Sequence, residues 1–213
     1  MSNTNIFNQS NKNETKKGQI NSNIKETNFS TEALFWYQFG FEVIPVHPSR
    51  KRSAVNRAKW FSNLNLKSIK KHWAENPGHE IGFILGVQTL VIIDAESPES
   101  VSALAEIEDR YGLKPKLVIK TAKGEEHFFI HTLDTRVIPT SSYPGKYSDP
   151  IIINRLGMRI LPSSRGKSIS ILEAENIDEL SIAGQEFIDA IYHLNGMVSP
   201  SELGGEPRLI KAM

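Results

Sequence analysis

The sequence predicts a mixed α/β (α+β) domain built around a core sheet. Helical and strand patterns alternate over the first half of the chain, and strand patterns dominate the middle. The strongest single signal is Leu90–Ile93, a run of four apolar residues that is typical of a buried strand. With 213 residues, the chain is long enough for one domain of ordinary size and a tail.

Three segments are predicted along the chain. Residues 1–29 are rich in Asn, Lys, Ser and Thr and have few apolar side chains, so we expect them to be disordered. Residues 30–195 are predicted to form the folded domain. Residues 196–213 have few apolar side chains, so we expect a flexible C-terminal tail.

The elements of the folded domain are delimited by capping residues, glycine and proline. The first helix is predicted to end at Gly40, and Pro45 places the following strand at a sheet edge. Ser97 and Pro98 are predicted to be the N-cap and the first residue of a later helix. We predict helices over residues 30–40, 66–76, 97–111 and 182–194, and strands over residues 41–46, 81–86, 90–96, 117–121, 127–130, 151–153, 158–161 and 168–172.

Short connections between consecutive strands predict hairpins, because antiparallel neighbours need only a few linking residues. The three predicted hairpins pair strand 81–86 with 90–96, strand 117–121 with 127–130, and strand 151–153 with 158–161.

The composition limits the classes of function. The 25 Lys and Arg residues nearly balance the 24 Asp and Glu residues, so any basic surface must be local. The absence of cysteine excludes disulfides, thiolate zinc sites and cysteine nucleophiles, and agrees with a cytoplasmic location. The longest apolar runs are far shorter than the ~18 residues of a membrane span, and we find no secretory signal, so we expect no membrane association.

Two carboxylates follow the buried strand. Asp94 and Glu96 are two residues apart, and such residues point to the same face if the strand continues through them. Two like charges at the end of a buried strand resist desolvation, and a hard divalent cation such as Mg²⁺ would offset that repulsion. The alternative is an ordinary acidic loop with both carboxylates in water.

His127 begins the strand that follows a tight connection. If that strand pairs beside the strand of Asp94, the imidazole and the two carboxylates could share one face of the sheet. A lone histidine in such a position is otherwise a surface residue or a satisfied core residue.

Two loops are basic. One contains Lys51 and Arg52, and the other contains Arg165 and Lys167. Each loop is either a solvated turn or a set of cations presented to the phosphates of a nucleic acid.

The ordered set of motifs resembles a known family. In chain order the motifs are Gly40–Val46, Lys51–Ser53, Trp73 with Asn76 and Pro77, Ile81–Gly86, Val91–Glu96, Lys120–Gly124 and His127–Ile130. Their order and spacing resemble the bifunctional DNA primase/polymerase (prim-pol) N-terminal domain of the archaeo-eukaryotic primase superfamily, over residues 31–164. Such domains occur in replication proteins of plasmids, phages and integrated elements.

The resemblance implies a fold, a reaction and a set of residues. The implied fold joins an α/β part to an RRM-like sheet with the active site between them. The implied reaction is the template-directed addition of nucleotides from NTPs or dNTPs on a DNA template, with Mg²⁺ or Mn²⁺. Asp94 and Glu96 match the metal-binding acids, and His127 matches the histidine that contacts the nucleotide phosphates. We also expect Lys120, Arg155 and Arg159 to contact the nucleotide, and a helicase or another replication protein to act as a partner.

The sequence departs from the family pattern at two places. Asn154 lies where the family usually has a third acidic residue, and it offers a metal one neutral oxygen instead of a carboxylate. Glu125 and Glu126 precede His127, and they would repel phosphates if they faced inward. Two hypotheses therefore stay open: a metal-dependent nucleotidyltransferase, and a catalytically degenerate prim-pol domain that binds nucleic acid or nucleotide.

Overall fold

The computed structural model describes residues 29–86, 89–131, 151–155, 157–162, 166–199 and 201–202. The helices are α1 (Phe29–Phe39), α2 (Arg57–Phe61), α3 (Leu66–Glu75), α4 (Pro98–Arg110) and α5 (Gln185–Leu194). The strands are β1 (Val43–Val46), β2 (Glu80–Leu85), β3 (Leu90–Ala95), β4 (Leu117–Lys120), β5 (Glu125–His131), β6 (Ile151–Asn154), β7 (Gly157–Ile160), β8 (Ser168–Leu172) and β9 (Ile182–Ala183).

The strands form two sheets. One has three antiparallel strands in the order β1-β2-β7. The other has six strands, with five in the order β6-β3-β5-β4-β8 and β9 joined in parallel to β5. Mixed helices with mainly antiparallel sheets make the domain α+β, as the sequence predicts.

Two hydrophobic cores cover the two faces of the six-stranded sheet. On one face, Ile92 and Phe128 pack with the large aromatic residues of α1, α3 and the three-stranded sheet, so this core joins the two sheets. On the other face, Ile93 and Phe129 pack with α4 and α5. A residue's position along β3 or β5 therefore decides which of two separate environments its side chain enters.

Local signals placed most elements correctly. α1 ends before Gly40, whose φ of 114° is in the region that favours glycine. Pro45 lies in β1, an edge strand of the three-stranded sheet. Ser97 is the N-cap of α4, with its side chain accepting a hydrogen bond from the Ser100 amide, and Pro98 is the first residue of α4.

Two of the three predicted hairpins are wrong. β2 and β3 lie in different sheets, and so do β6 and β7, whereas β4 and β5 do pair. The chain thus passes between the sheets at two of the short connections. β2 and β3 are buried on nearly every residue, so their sequences lack the polar alternation that would specify a partner.

Three smaller differences concern the ends of elements and a missed helix. The sequence did not predict α2, a helix of five residues. Residues Ile182–Ala183, predicted to start the last helix, instead form β9. Residues 1–28 and 203–213, most of the predicted tails, lie outside the described residues, while Ser199 in the second tail is fully buried.

Among the described residues, no helix has the length and apolar character that crossing a membrane requires.

Candidate functional site

Asp94 and Glu126 face each other on neighbouring strands. β3 and β5 are antiparallel, and Asp94 is paired directly with Glu126. Directly paired residues project from the same face of a sheet, so both carboxylates point toward the core between the two sheets. Asp94 is 7% exposed and Glu126 is 2% exposed. Two acids this deeply buried require compensating charges.

The compensating charges are Arg159 and Lys167. The Lys167 ammonium donates hydrogen bonds to both carboxylate oxygens of Glu126, each at 2.7 Å. The Arg159 guanidinium lies 3.5 Å from Asp94 and 3.8 Å from Glu126. We call Asp94, Glu126, Arg159 and Lys167 the ion cluster.

The ion cluster joins the two sheets. Arg159 belongs to β7 and is paired with Phe83, whose ring lies in the core between the sheets. Arg159 therefore points from the three-stranded sheet toward the acids of the six-stranded sheet. Two acids and two cations also balance in formal charge, so the cluster has no surplus charge to offer a ligand.

The pKa of Asp94 reflects this environment. Burial, together with the negative charge of Glu126, raises the pKa of Asp94 to about 6 against the opposing effect of Arg159. Glu96, just beyond the end of β3, also raises the pKa of Asp94 and lies 3.5 Å from Lys123. Glu96 thus acts on Asp94 from beyond the end of the strand, which stops at Ala95 and does not continue through both acids.

Asn154 also lies on this face. It is paired with Ile92 on the other side of β3, and Ile92 and Asp94 point the same way. The amide of Asn154 is buried and donates a weak hydrogen bond, 3.4 Å long, to the Ile152 carbonyl. Asp94, Glu126 and Asn154 thus share one side of the sheet.

His127 lies on the opposite face, so the predicted convergence of its imidazole with Asp94 is wrong. His127 is paired with Ile93, one residue out of step with Asp94, and a shift of one residue reverses the face. Its Nδ1 lies 2.6 Å from a carboxylate oxygen of Glu108 in α4, and its Nε2 lies 3.3 Å from Glu125. The imidazole therefore joins α4 to β5 instead of facing the ion cluster.

His127 and Glu108 form a buried charged pair, with side chains 5% and 6% exposed. Burial lowers the pKa of His127, but the hydrogen bonds and negative charges of Glu108 and Glu125 raise it by more, so the net shift is upward. The folded protein accordingly favours the protonated imidazole at this position.

The remaining predicted residues are dispersed. Lys51 and Arg52 are exposed on the loop after β1. Lys120 is exposed at the end of β4 and is paired with Glu125, which places it on the His127 side of the sheet. Arg155 is half-buried directly after β6, and Arg165 lies outside the described residues. Of the predicted basic residues, Arg159 and Lys167 contact the acids.

The donor set does not fit a ready-made divalent-metal site. The carboxylates of Asp94 and Glu126 are already paired with cations, and the third position offers only the amide of Asn154. Among the described residues, no three His, Asp or Glu side chains are grouped so that they could hold a metal ion. A metal at Asp94 would first have to displace Arg159.

Sequence reasoning missed two acids that decide the site. Glu126 faces Asp94, and Glu108 holds His127. The departure of Glu126 from the family pattern was visible in the sequence, but the direction of its side chain depends on the pairing register of β3 and β5. Glu108 lies within the helix predicted over residues 97–111, four residues after Leu104, and this spacing indicates its buried side of the helix but not its partner.

One comparison with known proteins gives a match. The Prim-Pol family model, described as bifunctional DNA primase/polymerase, N-terminal, matches residues 33–181, which is more than half of the chain and includes the whole ion cluster. No curated protein matches the sequence.

Proposed function

Because the chain belongs to the bifunctional DNA primase/polymerase N-terminal family, we propose that it is a DNA-binding member whose catalytic centre is degenerate. The family match indicates a chain that handles DNA and nucleotides. It gives no support to a helicase partner.

The position of His127 carries this proposal. An imidazole that is buried between Glu108 and Glu125 behind the sheet cannot reach a triphosphate held at Asp94. The residue that faces Asp94 is instead Glu126, whose carboxylate accepts hydrogen bonds and has none to donate to a phosphate. The histidine that the family places at the nucleotide is thus replaced on this face by an acid.

The ion cluster supports the same conclusion. Mg²⁺ and Mn²⁺ bind through anionic oxygens, yet Arg159 and Lys167 already neutralise the carboxylates of Asp94 and Glu126. Asn154 supplies no third negative charge. We therefore assign no catalytic step to a metal at this face, and we regard the cluster as a structural link between the two sheets.

The second candidate function is metal-dependent, template-directed nucleotide addition during replication of a plasmid, phage or integrated element. One observation favours it: Glu126 adds a third carboxylate beside Asp94 and Glu96. In this alternative Arg159 and Lys167 would exchange their carboxylate partners for the phosphates of an NTP or dNTP.

Primer extension and DNA binding, measured on the same preparations, separate the two candidates. The wild-type chain is incubated with a primed DNA template, labelled dNTPs or NTPs, and Mg²⁺ or Mn²⁺. We expect no product above the level of an enzyme-free control. DNA binding is measured in parallel by fluorescence anisotropy, and its affinity should fall as salt rises, because phosphate contacts release counterions.

The variants Asp94→Ala and Glu96→Ala complete the test. We expect both to retain DNA affinity, since neither acid is assigned to DNA. A product made by the wild type and lost in both variants would overturn the degenerate assignment in favour of the polymerase. A wild type that neither extends primers nor binds DNA would overturn both.

A further inference from the structure

The chain carries a strong local charge that its overall balance conceals. From Val43 to Ala74 there is no Asp or Glu, and there are eight cations: Arg50, Lys51, Arg52, Arg57, Lys59, Lys67, Lys70 and Lys71. Because the whole chain has a net charge of +1, all the other residues together carry −7. The segment is thus a basic region in an otherwise acidic protein.

All eight cations are exposed. Lys67, Lys70 and Lys71 are spaced for one face of α3, opposite the buried Ile69 and Trp73. Among the described residues, only Lys71 of the eight has an ion-pair partner, which is Glu75 at 3.9 Å. The charges of the other seven are therefore presented to solvent without neutralisation.

The loop, α2 and α3 that carry these cations are in mutual contact. The ring centroids of His47 in the loop and His79 are 6.3 Å apart, and those of His79 and His72 in α3 are 5.2 Å apart. The ring centroids of Trp60 in α2 and His72 are also 5.2 Å apart. This chain of rings brings the loop, α2 and α3 next to one another, and we call the surface that carries their eight exposed cations the basic surface.

The loop has a defined conformation of its own. The His47 amide donates to the Arg52 carbonyl at 3.0 Å, and Val46 and Ser53 form an isolated bridge that closes the loop. Arg50, Lys51 and Arg52 are thus displayed on an ordered turn. Cations held in place lose less conformational entropy when they meet a ligand than cations on a free chain.

The two tryptophans below the basic surface are tied to the backbone by hydrogen bonds, and neither is fully exposed. The Trp73 side chain is 2% exposed and its indole N–H donates to the His79 carbonyl. The half-buried Trp60 donates to the Val43 carbonyl at 2.8 Å. Single-strand binding relies on exposed aromatic platforms, whereas duplex binding can rely on phosphate contacts alone.

We propose that the basic surface binds the sugar–phosphate backbone of duplex DNA, without reading its sequence. This assignment rests on the proposed DNA-binding function and locates it away from the ion cluster, to which the loop, α2 and α3 contribute no residue. Duplex DNA is the complementary ligand for this surface, because it carries about one negative charge per 1.7 Å of its axis.

The test compares two triple variants of the full chain that remove the same charge. One, Lys67→Gln/Lys70→Gln/Lys71→Gln, neutralises the exposed face of α3. The other, Arg110→Gln/Lys114→Gln/Lys116→Gln, neutralises the last residue of α4 and two cations of the loop between α4 and β4. Glutamine has a helix propensity close to that of lysine, so the fold should survive, which circular dichroism checks.

Affinity for a labelled 20-base-pair duplex is measured by anisotropy at several salt concentrations. The α3 variant should bind about tenfold more weakly or worse, and the slope of log K against log salt should decrease by about one per lost phosphate contact, or about two to three in total. The α4 variant should bind within about twofold of the wild type with an unchanged slope.

Equal weakening by both triple variants would overturn the proposal, since only the net charge would matter. A single strand of the same length that binds more tightly than the duplex would also overturn it. If phosphatidylserine vesicles, but no DNA, bound to the wild type and not to the α3 variant, the surface would be a membrane-binding surface. If the wild type binds duplex DNA and the α3 variant does so equally well, only this assignment fails and the proposed function stands.

Discussion

Asp94 and His127 lie on adjacent strands of one sheet and point to opposite faces of it. Asp94 is paired with Glu126, and His127 is paired with Ile93. The two side chains are therefore paired with opposite charges in different layers of the fold. Asp94 is paired with Arg159 of the three-stranded sheet, and His127 is paired with Glu108 of α4. A shared catalytic pocket would require the Asp94 carboxylate and the His127 imidazole on one face, and the sheet lies between them.

Replacing His127 tests whether its role is structural. His127→Ala leaves the buried carboxylate of Glu108 without its partner, and an uncompensated buried charge strongly destabilises a fold. We expect the free energy of unfolding to fall by about 3 kcal/mol or more, measured by urea denaturation at pH 6.

A matched control is His193→Ala, which breaks another histidine–glutamate pair, with Glu202 at 3.0 Å. That pair is half exposed, so its loss should change stability much less. If both variants lost the same stability, the burial of the His127 pair would not be what stabilises the packing of α4 against β5.

The raised pKa of Asp94 predicts how stability changes with pH. Its pKa of about 6 in the folded protein is above the ordinary value of about 3.9 in an unfolded chain. Between these values the folded state binds more protons, so the contribution of Asp94 to stability decreases as pH rises from about 4 to about 6. One pKa unit corresponds to about 1.36 kcal/mol, so a shift of about two units lowers the free energy of unfolding by about 2–3 kcal/mol.

Asp94→Asn imitates the protonated carboxyl and should remove this dependence. We expect the difference in unfolding free energy between pH 4 and pH 7 to decrease by about 2–3 kcal/mol relative to the wild type, and the variant to be the more stable of the two at pH 7. Asp109→Asn, at an exposed carboxylate of α4, gives the effect of the substitution alone. If the unfolding free energies of Asp94→Asn and the wild type changed with pH in parallel, the raised pKa of Asp94 would be contradicted.

Gly124 in the β4–β5 turn approaches the end of β3 so closely that a side chain cannot fit. A Cβ at this position would overlap the backbone carbonyl of Ala95, which cannot move without disturbing the strand that carries Asp94. Gly124→Ala should therefore lower the unfolding free energy by about 2 kcal/mol or more, measured by denaturant titration.

Gly78→Ala provides the comparison. Its Cβ would meet nothing within 4 Å, so we expect the stability to stay the same or to rise slightly because the unfolded chain loses freedom. A Gly124→Ala variant as stable as Gly78→Ala would mean that the turn can move away from β3.

The parts of this fold that the sequence predicted are those set by neighbouring residues. The strand Leu90–Ala95 follows from one apolar run, and the start of α4 follows from Ser97 and Pro98. Such signals act within a few residues, so they do not depend on what the element later packs against.

The parts that the sequence could not predict depend on pairing between distant strands. The face of His127 follows from the register of β5 on β3, and a change of one residue would have placed it beside Asp94. The contact of Arg159 with Asp94 joins residues 65 positions apart in two different sheets. The two-sided burial of β2 and β3 also left their partners unspecified.

Mn²⁺ binding tests whether the site has lost its metal because of two identifiable residues. Asn154→Asp adds a carboxylate on the face of Asp94, and Arg159→Gln removes the cation that lies 3.5 Å from Asp94. We expect the double variant to bind Mn²⁺ at least about tenfold more tightly than the wild type, because anionic oxygens are added while a competing charge is removed. Electron paramagnetic resonance of free Mn²⁺ measures the affinity, and adding Asp94→Asn to the double variant should abolish the gain. Tight binding of Mn²⁺ by the wild type itself would show that Arg159 yields to a metal, and the polymerase would then become the better-supported function of this face.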